Sequence, residues 1–506
     1  MYLIGIDLGT SGTKSVLFDE KGNTISSYTY EYPMYQPQNG WAEQDPKDWW
    51  DATCVSIKAI MHSAGTTHGV KPEDVAGIGI SGQMHGLVML DREDNVLRRS
   101  IIWCDQRTGE ECEQITETLG RDKLIEITAN PALTGFTLSK ILWVKNHEPE
   151  LFEKCAKIML PKDYVRYMLT GEFATEVSDA SGMQLLNIAE RRWSKEVMDA
   201  FDLDSSMFGK MYESYEVTGR LTEGAAALCG LKAGIPVVGG AGDQAAGAVG
   251  NGIVREGVVS STIGTSGVVF AHTDNISIDP KGRVHTFCHA VPDCWHIMGV
   301  TQGAGLSLQW FRNNFCASEV EAARMLGQDP YILMDKQAES VPAGANGVIY
   351  LPYLMGERTP HLDPDCRGLF YGLSAMHTRK DMLRAVMEGV GYSLMDCMDI
   401  INEMGINPSE VRASGGGGKS PLWRQMQCDM FGCNVTTVNS SEGPALGVAI
   451  LAAVGAGIYS SVPEACDAII SIKNSIQPDV ENGKVYARMH GQYQKIYEAL
   501  KPIERY

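Results

Sequence analysis

The tetrapeptide Gly-Thr-Ser-Gly occurs twice, at Gly9–Gly12 and at Gly264–Gly267, about half a chain apart. Each copy lies between two apolar, extended-reading runs: LIGID and KSVLFD around the first, VVSSTI and VVFAH around the second. Strand, small-residue turn, strand is a β-hairpin. Glycine at both ends of the turn permits positive φ and close backbone approach. Free N–H groups and hydroxyls in such a turn suit phosphate oxygens. One such turn means little, because Gly, Thr and Ser are common in turns. The same turn in the same context in each half implies a duplicated unit and a two-part nucleotide clamp.

A chain of 506 residues supplies core for two large domains. The formal charge of −19 argues against nucleic acid or an anionic membrane as partner. No apolar run is long enough to span a bilayer, and MYLIGIDLG lacks the basic start of a secretory signal. Thirteen scattered cysteines, with no CxxC pair or Cys/His metal spacing, read as packed thiols of a cytoplasmic protein.

The first half reads as strands 3–7, 14–19 and 24–32, a helix from about Asp45 to Ser63 opened by Pro46, and strands 75–81 and 86–91. A variable helical stretch (105–235) and a strand GIPVVGGAGD (234–243) complete it. The second half reads as strands 257–263, 268–272 and 295–301, a helix near 304–315, a strand 347–354 and a helix Arg379–Met404. Strand EVRAS, helix 421–431, strand NVTTVN and a small-residue helix 443–456 follow. Strands alternating with helices in both halves indicate an α/β architecture. The domains are expected at 1–246 and 247–506, with a hinge near Gly247–Gly257.

Four stretches carry chemistry. In IGIDLGTSGTKSVLFD (4–19), Asp7 ends a strand beside the turn. A carboxylate next to phosphates needs a cation between them, which Mg²⁺ supplies directly or through water. Thr10, Ser11, Gly12 and Lys14 are placed to contact phosphate oxygens; a plain turn-capping role is the alternative for Asp7. In GGAGDQAAGAVGNG (239–252), Asp243 is the single carboxylate among small residues, as a base accepting a hydroxyl proton requires, with Gln244 beside it. A turn-forming Asp at a strand end is equally compatible with that stretch alone. In SGQMHGLV (81–88), Gln83, Met84 and His85 offer a donor, an apolar surface and an acceptor for a polyol; a lone His is otherwise a satisfied core residue. ASGGGGKSPLWRQ (413–425) narrowly misses a P-loop, because Ala413 stands where the pattern needs its first Gly.

The chain resembles the FGGY carbohydrate kinases, of the actin/Hsp70/sugar-kinase superfamily, over nearly its whole length. GFTLSKILWVKNH (135–147) is similar to the family's N-terminal signature. GLFYGLSAMHTRKDMLRAVMEG (368–389) is similar to the C-terminal one, and LPYLMGERTPHLDPDCRG (351–368) and the Met-His pair are typical of its ketose kinases. Glycerol kinases of the family carry Arg-Glu where Met84-His85 stand, which points from glycerol to a ketose. The resemblance implies two ribonuclease H-like domains flanking a cleft. It implies transfer of the γ-phosphoryl group of ATP to a keto-pentose, D-xylulose at O5, with Mg²⁺.

Carried over by residue, it gives Asp243 as base, Asp7 at the Mg²⁺, and Gln83, Met84, His85 and Gln244 at the sugar. Thr10, Ser11, Gly264, Thr265, Gly305 and Gln309 line the phosphate path, and Gly416, Gly417 and Ser420 lie at the adenosine. Relatives often have Asn at the position of Ser420, and a related kinase has a sugar-binding Tyr at the position of Gly135. Expected partners are a small sugar and ATP, with a homodimer left open. A kinase of ribulose, L-xylulose, gluconate or another polyol is one alternative. A non-transferring ATPase of the Hsp70 or actin type is another, which the lack of a peptide-binding module after residue 456 disfavours.

Overall fold

The computed structural model describes residues 1–503. The first half builds β1 (Tyr2–Leu8), β2 (Gly12–Asp19), β3 (Thr24–Glu31), α1 (Pro46–His68), β4 (Val75–Gly82), β5 (Val217–Arg220), β6 (Pro236–Val238) and β7 (Ala241–Gly242), then α2 (Asp243–Gly250). The second builds β8 (Val258–Ile263), β9 (Gly267–Thr273), β10 (His285–Cys288), β11 (Trp295–Thr301), α3 (Gly305–Phe315), α4 (Arg379–Glu403), β12 (Glu410–Gly415), α5 (Pro421–Phe431), β13 (Asn434–Val438), α6 (Gly443–Gly455), β14 (Ile472–Ile476) and α7 (Val480–Leu500).

Each half holds a seven-stranded sheet. Starting from the strand that enters the Gly-Thr-Ser-Gly turn, the two sheets match. β1 pairs antiparallel with β2 and β2 with β3, while β1 runs parallel to β4 and β4 to β6, and β5 closes the edge antiparallel. Likewise β8 pairs antiparallel with β9 and β9 with β11, while β8 runs parallel to β12 and β12 to β13, and β14 closes the edge antiparallel. The duplication implied by the two turns is thus a duplication of a whole sheet. β10, outside β11, has no counterpart in the first half's order, and β7, which pairs with β4 off the main path, has none in the second.

The halves are joined by two crossing helices. A Cβ added to Gly447 of α6 would lie 1.8 Å from Ala246 O of α2, and one on Gly250 would lie 1.9 Å from Gly443 O. Helix α6 also lies on the first half's sheet, where Gly5 and Gly79 would place a Cβ 1.9 and 2.0 Å from Ala445 O and Val448 O. Only glycine allows backbones so close. The resulting core mixes both halves, with Leu3, Val16 and Phe18 packed with Val249, Leu446 and Ile450.

Several boundaries differ from the sequence expectation. Helix α1 runs to His68 rather than Ser63, ending at Gly69 with φ 68°. Its start is as read: Asp45 caps it by accepting from Lys47 N, ahead of Pro46. The strand expected at 234–243 is broken. Gly240 turns at φ 76°, its α-carbon packed against Ile80 O, and Asp243 opens a helix instead of ending a strand. Strands expected at 86–91 and 347–354 shorten to Val88–Leu90 and Ile349–Leu351, the latter stopped by Pro352, which has no N–H to pair. The stretch 105–235 is not simply helical but carries several two- to four-residue strands. The first four residues of the expected hinge, 247–250, belong to helix α2. Past residue 456 a short helix, Val462–Ile469, joins the core shared by both halves, and after β14 helix α7 returns to the second half's core through Tyr486, Tyr493 and Tyr497.

Candidate active site

Strand register explains why distant carboxylates meet. Asp7 on β1 is abreast of Ser81 on β4, and Ser81 is abreast of Ala241 on β7. Asp243 follows two residues later as the first residue of α2. Both acids therefore stand at the carboxyl ends of parallel strands, where open α/β sheets bind ligands.

Burial pushes Asp7 up to about 6, opposed by the Ser81 hydroxyl and Lys14. Burial, then the nearby Asp7 charge, pushes Asp243 up to about 7 against hydrogen bonds from Gln244. A carboxylate whose pKa sits near neutrality is suited to take a proton in a transition state. Asp243, Gln244 and Lys14 line a cleft of about 770 Å³ whose other walls include Ser260, Thr262, Gly415 and Gly416. Across it Lys14 Nζ pairs with Glu442 Oε2 at 2.5 Å, joining the two halves.

Met84 and His85 stand beside this cleft. Met84 packs on the α-carbon of Gly242, where an added Cβ would lie 3.0 Å from its Sδ. His85 adopts φ 70°, and its backbone oxygen accepts from Lys140 Nζ (2.9 Å) and Thr137 Oγ1 (3.1 Å). Its ring lies against Phe136 and, from the second half, Phe287. Burial drives its pKa down to about 3, so the imidazole is neutral. Nδ1 is 3.0 Å from Gly182 O. A carbonyl only accepts, so Nδ1 carries the proton and Nε2 keeps a lone pair for a ligand hydroxyl.

The two glycine turns sit in different company. Gly9 N bonds Gly12 O (3.0 Å) and the Tyr32 hydroxyl donates to Gly9 O. Thr10 receives Trp103 Nε1 on Oγ1 (2.9 Å) and Gln44 Nε2 on its carbonyl (2.6 Å). Gln83 bonds Gln44 (2.7 Å), so its amide braces the first turn. Ser11 is exposed at the tip. The second turn joins a cavity of about 560 Å³ lined by Gly264, Thr265, Gly305, Gln309, Gly416, Gly417 and Ser420. Gly305 N donates to Gly264 O (2.8 Å) and Leu306 N to Thr265 O (3.0 Å), so the start of α3 holds this turn. Ser420 caps α5 by accepting from Trp423 N (3.1 Å). Gly416 and Lys419 line both cavities, which makes them one continuous groove.

Some residues gave no sequence signal. Lys162 is buried among Asp163, Glu176 and Asp179 at 2.8, 3.3 and 3.4 Å, and Gly242 N donates to Ser178 Oγ (3.1 Å) above them. This charged layer lies under the turn that delivers Asp243. Arg358 comes from the second half close enough to depress the charged form of His85, and no hydrogen bond or ion pair to its guanidinium is found among the described residues. Asp335 lines the second cavity near Ser420. Only the fold reveals them: Lys162 lies on the helix Pro161–Thr170, Asp335 on the helix Pro330–Glu339, and Arg358 in the segment after the strand Ile349–Leu351.

Two copies of one α/β sheet unit, a glycine turn in each, and a carboxylate pair at the strand ends define a two-domain fold of the actin/Hsp70/sugar-kinase type. The models of the FGGY family of carbohydrate kinases match the chain, the N-terminal domain over residues 2–250 and the C-terminal domain over 259–456. The chain is 40% identical to a xylulose kinase of Bacillus subtilis (99% of this chain, 98% of the relative). It is 33% identical to a gluconokinase of Bacillus licheniformis (99% and 96%). The crystal structure of xylulose kinase from Rhodospirillum rubrum superposes with a TM-score of 0.91 at 29% identity, covering 99% of each chain. The chain belongs to the FGGY family of carbohydrate kinases.

Proposed function

We propose that this chain transfers the γ-phosphoryl group of ATP to O5 of D-xylulose, giving D-xylulose 5-phosphate and ADP. The observation that carries the reading is Asp243. It is a carboxyl with a pKa raised to about 7 that lines a cleft, with Met84 and a neutral His85 beside it. Asp243 takes the proton of the attacking hydroxyl, and His85 Nε2 and Gln244 orient the sugar. The likeness to xylulose kinases over 99% of the chain supports the choice of sugar. Lys14, Thr10, Ser11, Gly12, Gly264 and Thr265 serve the phosphates; Gly305 and Gln309 flank them, and Gly416, Gly417 and Ser420 hold the adenosine. The hinge between 1–246 and 247–506 is the crossing of α2 and α6 together with the residues that follow α2.

The site fits a divalent cation. Asp7 and Asp243 are mutually repelling carboxylates with Lys14 as the positive neighbour of Asp7, and a hard cation would relieve that repulsion. Asp7 would hold Mg²⁺, whose charge neutralises the phosphate oxygens when bound. A second reading, phosphorylation of gluconate, draws on Arg358, whose guanidinium has no hydrogen bond or ion pair among the described residues and suits a carboxylate. Coupled ADP-release kinetics over D-xylulose, L-xylulose, D-ribulose, L-ribulose, glycerol and gluconate test the assignment. D-Xylulose is expected to give the highest kcat/KM; a higher value for gluconate or any other sugar reassigns the substrate.

A further inference from the structure

We propose that His272, Asp274 and Cys294 form a binding site for a zinc-class divalent metal ion, separate from the catalytic groove. None of the three lines either cavity. Strands β9 and β11 are antiparallel, with His272 opposite His296 and Thr273 opposite Trp295. The next residues outward, Asp274 and Cys294, lie just beyond the two strands. These strand ends bring the His272 ring, the Asp274 carboxylate and the Cys294 thiol together. Their ligand atoms all fall within 4.8 Å of one another. His272 Nε2 is 2.9 Å from Asp274 Oδ1.

The burial grades as a binding site should. His272 is 1% exposed, Cys294 is half-buried, and Asp274 opens to solvent and gives an entry path. His272 Nδ1 has no hydrogen-bond partner among the described residues, so the ring is not fixed by a structural bond on that side. The backbone of the ligands is braced: Asp274 N donates to Glu256 Oε1 (3.2 Å) and Arg191 Nη1 donates to Cys294 O (2.6 Å). Such outer partners orient ligands.

The donor set decides the ion. One imidazole nitrogen, one carboxylate oxygen and one thiolate sulfur suit zinc and its neighbours in the first transition row. Magnesium and calcium take oxygen ligands. Three protein ligands leave the fourth tetrahedral position to water. On binding, the Cys294 thiol gives its proton to solvent and its sulfur bonds the metal, with no change in oxidation state. The ion would tie the ends of β9 and β11 together and, through Glu256, to the segment that leads from α2 into β8.

Untagged, metal-stripped full-length protein titrated with Co²⁺ tests this, because a thiolate–cobalt bond gives a near-ultraviolet charge-transfer band. The expected result is one equivalent bound with that band, displaced by Zn²⁺. The band is lost in Cys294→Ser and kept in Cys54→Ser. Loss of Asp274 as a ligand should weaken binding by at least the roughly 10–100-fold that loss of an outer partner costs. Asp274 is exposed, so Asp274→Asn reports on binding without threatening the fold. Unchanged sugar-kinase activity in Cys294→Ser shows that variant to be folded. Absence of the band, its persistence in Cys294→Ser, or unaltered affinity in Asp274→Asn overturns the proposal.

Discussion

Replacing Asp243 by Asn should cost activity and add stability, and the two effects have one cause. Asn keeps the size of Asp but cannot take a proton, so kcat should fall about 10²–10⁴-fold, the usual worth of a general base. ATP affinity should change little, because most of the residues proposed for the nucleotide (Gly264, Thr265, Gly305, Gln309, Gly417 and Ser420) line the neighbouring cavity, which Asp243 does not line. The stability effect follows from the raised pKa. Asp243 moves from 3.8 in the unfolded chain to about 7 when folded. A carboxyl raised in this way favours the folded state at low pH, and that contribution is lost as pH climbs through the folded pKa. At about 1.4 kcal/mol per pKa unit the ceiling on the loss is about 4 kcal/mol. Asp243 is half-buried and shares its repulsion with Asp7, so about 1–2 kcal/mol is the working figure after solvent screening. Asp243→Asn should therefore melt about 2–8 °C higher than the parent at pH 8, for domains of this size. The gain should shrink at pH 5.5, where the parent carboxyl is already protonated. Calorimetry at the two pH values, alongside steady-state kinetics, checks both halves. Near-native turnover would refute the base assignment, and a lower melting point at pH 8 would refute the electrostatic account.

Wild-type kcat at saturating substrate should rise with pH between about 6 and 8 as the Asp7–Asp243 pair loses its protons; a flat profile over that range contradicts a titrating base. His85→Asn, chosen because Asn tolerates the positive φ there, should raise KM for the sugar about 2–10-fold, the worth of one neutral hydrogen bond, and leave KM for ATP unchanged; an unaltered sugar KM would make His85 a core residue only. Lys14→Ala should raise KM for ATP about 10–100-fold, since bonds to charged groups are worth about 1.5–3 kcal/mol, with unchanged KM for the sugar; equal effects on both would place Lys14 outside the phosphate path. Gly447→Ala should destabilise by about 1–3 kcal/mol or more, because its Cβ meets Ala246 O at 1.8 Å; a melting point equal to the parent's would show that the helix crossing is loose.

Much of this was legible because local chemistry and global topology agree. The paired turns announced the duplicated sheet, and α5 runs over Pro421–Phe431 as read, from a Ser cap to a Gly end. The surround of small residues marks Asp243 in the sequence, although the run 234–243 reads as a strand that ends on it. Gly239-Gly240 breaks that strand, and a turn residue looks the same whether a strand or a helix follows. The role of α6 on the other half's sheet was illegible. Its small residues read as a helix, but nothing local says that Gly5, Gly79 and Gly250 wait for it at the far end of the chain. Lys162, Arg358 and Glu442 escaped for a related reason. Glu176 beside Lys162 and Lys14 beside Glu442 are distant in sequence, and Arg358 approaches His85 only in the folded chain.

The most direct test of the account is the identity of the phosphorylated product. Wild-type protein and Asp243→Asn are incubated with ATP, Mg²⁺ and D-xylulose and followed by phosphorus NMR. The wild type should convert the γ-phosphate into a phosphomonoester on the terminal carbon of the sugar, one for each ADP formed, and Asp243→Asn should form it at least about 100-fold more slowly. Release of ADP with inorganic phosphate and no sugar phosphate would contradict the account and leave a non-transferring ATPase in its place.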